Sequence, residues 1–342
     1  MKQDVFIGPV DPAARSGYPD HPPRMGFFTD TSICIGCKAC EVACKEWNEV
    51  PDDGLSLLGM SYDNTGALGA DTWRHVAFIE QSKLVGMQEV GLVEGQPVGP
   101  AASEAVAGQV ASALSRTQAH LLGTSTGEVR VDIEPQDLAA SPLPTSADGD
   151  QRRELRWLMA SDVCKHCTHA ACLDVCPTGA LFRTEFGTVV VQEDVCNGCG
   201  YCVPACPYGV IDKREPDGRV WKCTLCYDRI GTGLEPACAK ACPTDSIQYG
   251  ELDELRERAQ QRVTQLHEAG VTDARLYGDD PHDGVGGAGA FFLLLDEPEV
   301  YGFPPDPVVT SKDLPQMWKD VALAAGAIVG SALVAFAIGG RR

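Results

Sequence analysis

The longest apolar stretch of the chain lies at its C-terminal end, where the twenty residues from Val321 to Gly340 contain neither a charge nor a proline. At about 1.5 Å of rise per residue, a helix of this length matches the ~30 Å hydrocarbon core of a bilayer. Trp318 and the pair Arg341-Arg342 flank the stretch, as interfacial residues do. The pattern predicts a transmembrane anchor over residues 313–342, and its terminal position and small residues favour this over a buried core helix.

Shorter patterns precede this stretch. A charged helix is predicted over Leu252–His267 and ends at Gly270, and the apolar run Phe291–Leu295 predicts a buried strand. The prolines from Pro298 to Pro307 predict an extended connector.

Two segments alternate apolar and polar residues around a central glycine. Gly179–Val195 predicts a strand–turn–strand unit that turns at Gly187. Gly209–Val220 predicts a similar unit that turns at Gly218.

A stretch rich in Ala, Gly, Ser and Pro, from about Gly86 to Gly149, contains no cysteine and predicts an insertion. Within it, Ala102–Leu122 has helical spacing, Val129–Ile133 alternates like a short strand, and Pro142–Gly149 is typical of a flexible linker.

The composition indicates a globular protein of two or three packed units. Of the 342 residues, 44% are hydrophobic and 22% are charged. The net charge of −20, from 28 basic and 48 acidic side chains, disfavours nucleic-acid binding, which needs concentrated Lys and Arg. Residues 1–24 lack the apolar core of a signal peptide, so we expect no export signal of the chain's own.

Sixteen cysteines form four tight groups of four, with none left over. Two groups have the spacing C-x2-C-x2-C-x3-C: Cys34, Cys37, Cys40 and Cys44; and Cys196, Cys199, Cys202 and Cys206. The spacing C-x2-C-x4-C-x3-C occurs in Cys164, Cys167, Cys172 and Cys176. The spacing C-x2-C-x11-C-x3-C occurs in Cys223, Cys226, Cys238 and Cys242.

The C-x2-C-x2-C spacing lets one loop offer three thiolates to one face of a [4Fe–4S] cubane, while the fourth thiolate comes from elsewhere. In two-cluster ferredoxins the last cysteine of each run binds the other cluster, which brings two cubanes close together. A scaffold held by zinc is the alternative from another class, because C-x2-C pairs also build tetrahedral sites. Disulfides rank last, since such close cysteines would form strained loops. The spacing alone leaves open which groups pair.

The run from Gly26 to Asn48, which contains the first cysteine group, resembles the start of the four-cluster iron–sulfur β subunit of formate dehydrogenases. The further context resembles the membrane-bound, respiratory type, and the similarity covers most of 25–80, 154–250 and the tail. That context comprises Ser61-Tyr62-Asp63-Asn64, Trp73-Arg74, Trp221-Lys222-Cys223-Thr224-Leu225-Cys226 and the single C-terminal span. The four-group pattern is shared with β subunits of nitrate, dimethyl sulfoxide and polysulfide or thiosulfate reductases and of some hydrogenases, so the same relay in one of these enzymes remains an alternative.

The resemblance implies an α+β fold of two pseudo-symmetric two-cluster ferredoxin-like modules, with an insertion and one C-terminal transmembrane helix. The implied division is an N-terminal extension (1–24), the first part of module A (25–85), the insertion (86–153), module B (154–210), the second part of module A (211–250), a helix, strand and connector (251–312) and the anchor (313–342).

The resemblance also implies four [4Fe–4S] clusters and their ligands. The four ligand sets would be Cys34, Cys37, Cys40 and Cys242; Cys44, Cys223, Cys226 and Cys238; Cys164, Cys167, Cys172 and Cys206; and Cys176, Cys196, Cys199 and Cys202.

The sequence contains no catalytic triad, H-E-x-x-H helix or phosphate-binding loop, so chemistry on formate would fall to a partner. The resemblance implies a large subunit with a molybdenum or tungsten pterin, and a membrane cytochrome b that reduces quinone. It places the cluster domain on the extracytoplasmic (periplasmic) side of the cytoplasmic membrane, exported with a partner that carries a twin-arginine signal. Lys312 and Lys319 before the span balance Arg341 and Arg342 after it, so the positive-inside rule alone leaves the orientation open.

Several basic side chains and histidines lie beside the cysteines. Cations near the sulfurs would raise the reduction potential of a cluster, but for any one of these residues a solvated surface position is the favoured interpretation. His166 and His169 are not expected to bind metal, because their cysteine group is already complete. The residues are Lys38, Lys45, Lys165, His166, His169, Lys222 and Lys240.

Overall fold

Short strands and helices alternate along the chain, in agreement with the predicted α+β class. The computed structural model describes residues 11–54, 62–63, 65–84 and 153–339. Its strands are β1 (Met25–Asp30), β2 (Arg74–Leu84), β3 (Arg153–Val163), β4 (Leu181–Arg183), β5 (Val189–Val191), β6 (Asp212–Lys213), β7 (Val220–Trp221), β8 (Ile247–Glu251), β9 (Arg275–Tyr277) and β10 (Ala290–Leu294). Its α-helices are α1 (Pro12–Arg15), α2 (Ala39–Trp47), α3 (Ala171–Asp174), α4 (Cys202–Ala205), α5 (Tyr227–Ile230), α6 (Ala237–Lys240), α7 (Leu252–Glu268) and α8 (Leu314–Gly339), with 3₁₀ turns at Thr31–Ile33, Pro298–Tyr301 and Thr310–Asp313.

The predicted insertion 86–153 lies outside the described residues except for Arg153. The helix, strand and linker predicted within it are therefore outside them too, as are residues 1–10 of the N-terminal extension. The chain divides into two compact units, Met1–Gln81 with Trp157–Arg342 and Ser82–Arg156. The second unit is described only where β2 and β3 enter it.

A four-stranded sheet in the order β8-β1-β10-β9 organises the first unit. The two central strands, β1 and β10, are parallel, and both outer strands are antiparallel to their neighbours. All five residues of β10 are buried, as expected for a central strand covered on both faces. The buried strand predicted at Phe291–Leu295 is thus confirmed, one residue earlier.

Alternate side chains of the central strands enter two different cores. Phe28, Phe291 and Leu293 pack beneath α7 against Leu252 and Leu255. On the other face, side chains of the same strands join the core that also contains buried cysteines, namely Phe27, Ala290, Phe292 and Leu294. Because successive side chains of a strand point to opposite faces, one sheet supports both a covering helix and the cysteine-bearing loops.

Helix α7 confirms the charged helix predicted over Leu252–His267 and extends it by one residue. Asp253 and Glu254 lie in its first turn, where negative charge is favourable to the helix dipole. The chain leaves the helix through Gly270, whose φ of 88° is accessible to glycine at little cost.

Both predicted strand–turn–strand units are present as two-stranded antiparallel sheets, β4 with β5 and β6 with β7. The turns contain Gly187 at φ 74° and Gly218 at φ 71°, which explains the glycine at each turn.

The extended connector predicted from Pro298 is wrong at its start, because Pro298–Tyr301 forms a 3₁₀ turn. Proline is tolerated at the first helical position, where no backbone N–H is needed, so its presence did not require extended structure. The turn buries Tyr301 beside Phe303, and the Tyr301 hydroxyl oxygen accepts a hydrogen bond from the Leu295 amide at 3.1 Å.

Helix α8 contains one candidate membrane span, Gln316–Phe336, with a mean hydropathy of 1.6 and none of the span buried within the protein. The helix begins at Leu314, earlier than the apolar run alone indicated, and therefore includes Lys319 and Asp320. Its length, composition and exposure agree with the predicted anchor.

Replacing Gly26 of β1 with alanine should destabilise the sheet. An added Cβ would lie 2.7 Å from Leu252 Cδ1 and closer still to the Gly289 carbonyl oxygen, so the backbone would have to shift. We expect the free energy of unfolding to fall by about 1–3 kcal/mol, measured by thermal denaturation of the purified, cluster-loaded protein.

Gly69→Ala is the matched control, because its added Cβ would meet only Asp212 Oδ2, at an ordinary 3.8 Å. Equal melting temperatures for the two variants would contradict the close approach at Gly26.

Candidate metal centres

The pairing of β1 with β8 brings the first and last cysteine groups together. Thr29 lies opposite Ile247 in the antiparallel register, so the chain leaving β1 runs beside the chain entering β8. Two hydrogen bonds fix this junction: the Asp30 amide donates to the Ser246 carbonyl at 2.8 Å, and the Ser246 hydroxyl donates to the Asp30 carbonyl at 2.7 Å. Cys34 follows β1 and Cys242 precedes β8, so these distant cysteines become neighbours.

The first cavity is lined by four thiols, those of Cys34, Cys37, Cys40 and Cys242. Three of the thiols come from one loop and the fourth from the other end of the sequence. Gly36 in that loop has a φ of 65°, and an added Cβ would lie 2.6 Å from both the Met159 sulfur and the Phe78 ring. Glycine is therefore required for the loop to turn at this point.

Helix α2 directs two cysteines of the first group to different sites. Cys40 and Cys44 are one turn apart on α2, and both are buried. Cys40 lines the first cavity. Burial raises the pKa of Cys44 well above its ordinary value, and the neighbouring thiols of Cys238, Cys223 and Cys226 raise it further. Cys44 thus lies near three thiols of the last group.

The second set is the most deeply enclosed, because Cys44, Cys223, Cys226 and Cys238 are all buried. Burial raises the pKa of Cys223 to about 12. The Asn48 amide nitrogen lies 3.7 Å from Cys44 Sγ and 3.8 Å from Cys226 Sγ, within reach of both sulfurs.

The third set surrounds a cavity lined by Cys164, Cys167, Cys172 and Cys206. Burial raises the pKa of Cys172 to about 12. The Lys222 ammonium acts to lower this pKa, whereas the thiols of Cys164, Cys206 and Cys202 act to raise it.

The fourth set lies nearer the surface, with Cys199 exposed and Cys176 and Cys196 partly exposed. Burial raises the pKa of Cys202 to about 11, and the thiols of Cys176, Cys199 and Cys196 contribute. Burial opposes ionisation of Cys176 as well, but backbone hydrogen bonds, chiefly from Leu181, and the Thr178 hydroxyl outweigh it and lower its pKa.

The spacing of the sulfurs bears on the kind of metal centre. All sixteen cysteines are free thiols. Within the part of the sequence that the structure describes, no three His, Cys, Asp or Glu side chains are grouped closely enough to hold one metal ion. A tetrahedral zinc site needs thiolates that converge on one point at about 2.3 Å. In the first and third sets the four thiols line a cavity, an arrangement that fits a multi-iron cluster better than a single zinc ion.

Three cationic side chains beside the cysteines are among the largest fully buried groups, which sequence reasoning did not foresee. The sequence alone favours surface positions for Lys165 and Lys222, and it contains no local signal that Arg74 lies near the sulfurs. Their exposed fractions are 1% for Lys165 and 2% for both Lys222 and Arg74. His166 is buried too, and burial together with the nearby Lys222 lowers its pKa well below the ordinary value, so it is neutral. By contrast, Lys240 is exposed, as predicted.

The surroundings of these cations provide an independent test of the metal centres. The Lys165 ammonium pairs with Asp162 and lies 4.4 Å from the centroid of the Phe303 ring. The Lys222 ammonium donates only to backbone carbonyls, those of Val189 and Cys223. Among the described residues, neither Arg74 nor Lys222 has a carboxylate partner within 4.0 Å. A buried cation without an anion is costly, so these sites call for a negatively charged group among the thiols. A cubane bound by four thiolates carries about −2 and fits this requirement.

Two family models match the sequence. The model of the 4Fe-4S dicluster domain matches residues 155–252, and that of the 4Fe-4S binding domain matches residues 31–47. Together they include all four cysteine groups.

Curated relatives extend the similarity to nearly the whole chain. The formate dehydrogenase iron–sulfur subunit of Haemophilus influenzae is 35% identical over 92% of this chain and 79% of the relative. The iron–sulfur subunit of the nitrate-inducible formate dehydrogenase of Escherichia coli is 32% identical over 88% of this chain and 78% of the relative. The B subunit of the anaerobic dimethyl sulfoxide reductase of E. coli is 48% identical over a shorter span, 69% of this chain and 77% of the relative.

The thiol-lined cavities, the buried cations that need an anionic partner and the extent of these similarities agree with one another. This protein belongs to the family of formate dehydrogenase iron–sulfur subunits and is an electron-transfer protein with ferredoxin-like domains that bind [4Fe–4S] clusters.

Proposed function

We propose that this chain relays electrons from formate, oxidised at a molybdenum- or tungsten-pterin catalytic subunit, through four [4Fe–4S] clusters to a membrane cytochrome b and quinone. The observation that carries the proposal is the proximity of the cysteine thiols to one another in four sets, two of which each line one cavity. A protein with four such centres and no catalytic motif in its sequence is suited to carrying electrons rather than transforming a substrate.

The proposed ligand sets follow the four groups of neighbouring thiols. They are Cys34, Cys37, Cys40 and Cys242; Cys44, Cys223, Cys226 and Cys238; Cys164, Cys167, Cys172 and Cys206; and Cys176, Cys196, Cys199 and Cys202. In each set three cysteines come from one group and one from another, the exchange expected of paired ferredoxin clusters. The division into two pseudo-symmetric modules belongs to the same proposal.

The clusters would supply one-electron redox chemistry, and the residues of this chain would hold and tune them. Buried thiols such as Cys40 and Cys223 have raised pKa values, about 11 and about 12, so iron binding must displace their protons. The buried Lys222 and Arg74 favour the more negatively charged, reduced state of nearby clusters and therefore raise their reduction potentials. Apolar side chains around the first cavity, such as Val76 and Ile247, limit the access of water.

Formate is the favoured electron donor because the formate dehydrogenase relatives match along about nine-tenths of the chain. The dimethyl sulfoxide reductase subunit is more similar, at 48% identity, but over 69% of the chain. A relay in that type of enzyme, with electrons flowing the opposite way, is therefore the second candidate.

We place the cluster domain on the periplasmic side of the cytoplasmic membrane, with α8 as a single-pass anchor. The exposed apolar span Gln316–Phe336 supports membrane attachment. The side of the membrane rests on the resemblance to respiratory formate dehydrogenases.

Cysteine variants test the ligand sets through iron content. The anaerobically purified wild-type protein should be brown and contain about sixteen irons. Cys37→Ala, Cys242→Ala and Cys226→Ala should each lose up to about four irons. The double variant Cys37→Ala/Cys242→Ala should lose no more than one cluster, whereas Cys37→Ala/Cys226→Ala should lose two, because the second pair belongs to different sets.

Thr232→Ala, an exposed substitution outside all four sets, should keep the full iron content. Loss of two clusters from the Cys37/Cys242 double variant would refute the proposed pairing. A colourless protein with stoichiometric zinc would refute iron–sulfur binding altogether.

Substrate-driven redox changes test the choice of donor. Formate added anaerobically to the purified complex should bleach the brown absorbance as electrons enter the clusters, whereas acetate at equal concentration should not. Reoxidation of dithionite-reduced complex by dimethyl sulfoxide, with no response to formate, would instead support the second candidate.

Protease access tests the proposed side of the membrane. Trypsin added to right-side-out vesicles should cleave the cluster domain, and inside-out vesicles should protect it until detergent is added. An intact cluster domain in right-side-out vesicles would contradict the periplasmic location.

A further inference from the structure

Arg74, the first residue of β2, lies between cysteines of two different sets. Its Nη2 donates a hydrogen bond to Cys238 Sγ at 3.3 Å. Its Nη1 lies 3.1 Å from the Ser161 carbonyl oxygen and 3.3 Å from the Ser161 hydroxyl oxygen. The Ser161 hydroxyl is in turn 3.2 Å from Cys40 Sγ. One guanidinium therefore contacts a sulfur of the second set directly and a sulfur of the first set through Ser161.

The surroundings of Arg74 are closed to water. The side chain is 2% exposed, Ser161 is 1% exposed, and the guanidinium lies 4.9 Å from the centroid of the Phe27 ring. Its Nε is buried without a hydrogen-bond partner among the described residues. Burial lowers the pKa of Arg74, but the thiols of Cys238, Cys40 and Cys223 more than offset this, and the pKa is raised. The positive charge is thus held next to a cysteine sulfur and the neutral oxygens of Ser161, where it is screened little by solvent.

The other two buried cations are placed differently. Lys165 already has a carboxylate partner in Asp162, and Lys222 is bound by backbone carbonyl oxygens. Neither donates a hydrogen bond to a cysteine sulfur among the described residues. Arginine suits the shared position because its planar fork points two donors in fixed directions, which a lysine ammonium on a flexible stem does not.

We propose that Arg74 is a positioning residue shared by two neighbouring clusters. It fixes Cys238 directly and Cys40 through Ser161, and its charge raises the reduction potentials of both clusters. The proposal rests on the proposed ligand sets, in which Cys40 and Cys238 bind different clusters. Because the guanidinium keeps its charge at all accessible pH values, it favours the reduced state of each cluster and reduces the mutual repulsion of the two when both are reduced. It would keep two adjacent steps of the relay at similar potentials.

The test is an EPR-monitored redox titration of the purified, iron-loaded complex, with the signals assigned by the Cys37→Ala and Cys226→Ala variants. Arg74→Gln should make both affected clusters at least tenfold harder to reduce, which for one electron is a shift of about −59 mV, and leave the other two unchanged. Ser161→Ala should lower the potential of the Cys40 cluster alone, because Arg74 keeps its bond to Cys238.

Lys240→Gln is the matched control, because it removes an exposed cation close in sequence to Cys238 and Cys242. It should leave all four reduction potentials unchanged, since solvent screens the charge of Lys240. Fully loaded Arg74→Gln with unchanged potentials, or with all four shifted alike, would overturn the proposal. If Arg74→Gln does not retain iron, Arg74→Lys decides, because lysine lacks the fixed fork of two donors: lower potentials of the two affected clusters alone support the shared role, and no shift, or a shift in one cluster or in all four, overturns it. Absence of four clusters from the wild-type complex would instead refute the proposed function.

Discussion

The burial of thiols beside cationic side chains is the constraint on which the rest of this structure depends. Burial raises the pKa of Cys40, Cys223 and Cys172 to between about 11 and about 12, so these groups are neutral unless a metal takes the place of the proton. Arg74 and Lys222 lie among them with no carboxylate partner in the described part of the sequence. Bound clusters resolve both problems at once, because they ionise the thiols and supply the missing negative charge. Folding and cluster loading are therefore linked in this protein.

The four-stranded sheet converts this local chemistry into a defined arrangement. The pairing of β1 with β8 joins residues from opposite ends of the cluster-binding region, which places Cys34 near Cys242. In helix α2, Cys44 lies one turn after Cys40 and near the thiols of the second set. The faces of β1 and β10 that point away from α7 form the wall of the cysteine-bearing core. The spacing between the first two sets is thus set by one helical turn and one sheet register.

Much of this could be predicted from the sequence, because the informative features are local. The four cysteine spacings, the glycine turns at Gly187 and Gly218 and the apolar run of β10 each depend on neighbouring residues only. The start of the proline connector was predicted wrongly, since Pro298 is equally compatible with the first position of a 3₁₀ turn. The charge environment was also missed: Lys165 and Lys222 have the sequence appearance of surface residues, and the role of Arg74 depends on Ser161, Cys40 and Cys238, which only the tertiary fold brings together.

Electron transfer through this protein requires cubanes that lie close enough for electrons to pass between them. The decisive measurement is EPR spectroscopy of the anaerobically isolated complex after dithionite reduction. We expect the signals of reduced [4Fe–4S] clusters, broadened and split by magnetic interaction between neighbours in the same protein. A fully iron-loaded sample without paramagnetic signals, or with signals of magnetically isolated centres only, would contradict it.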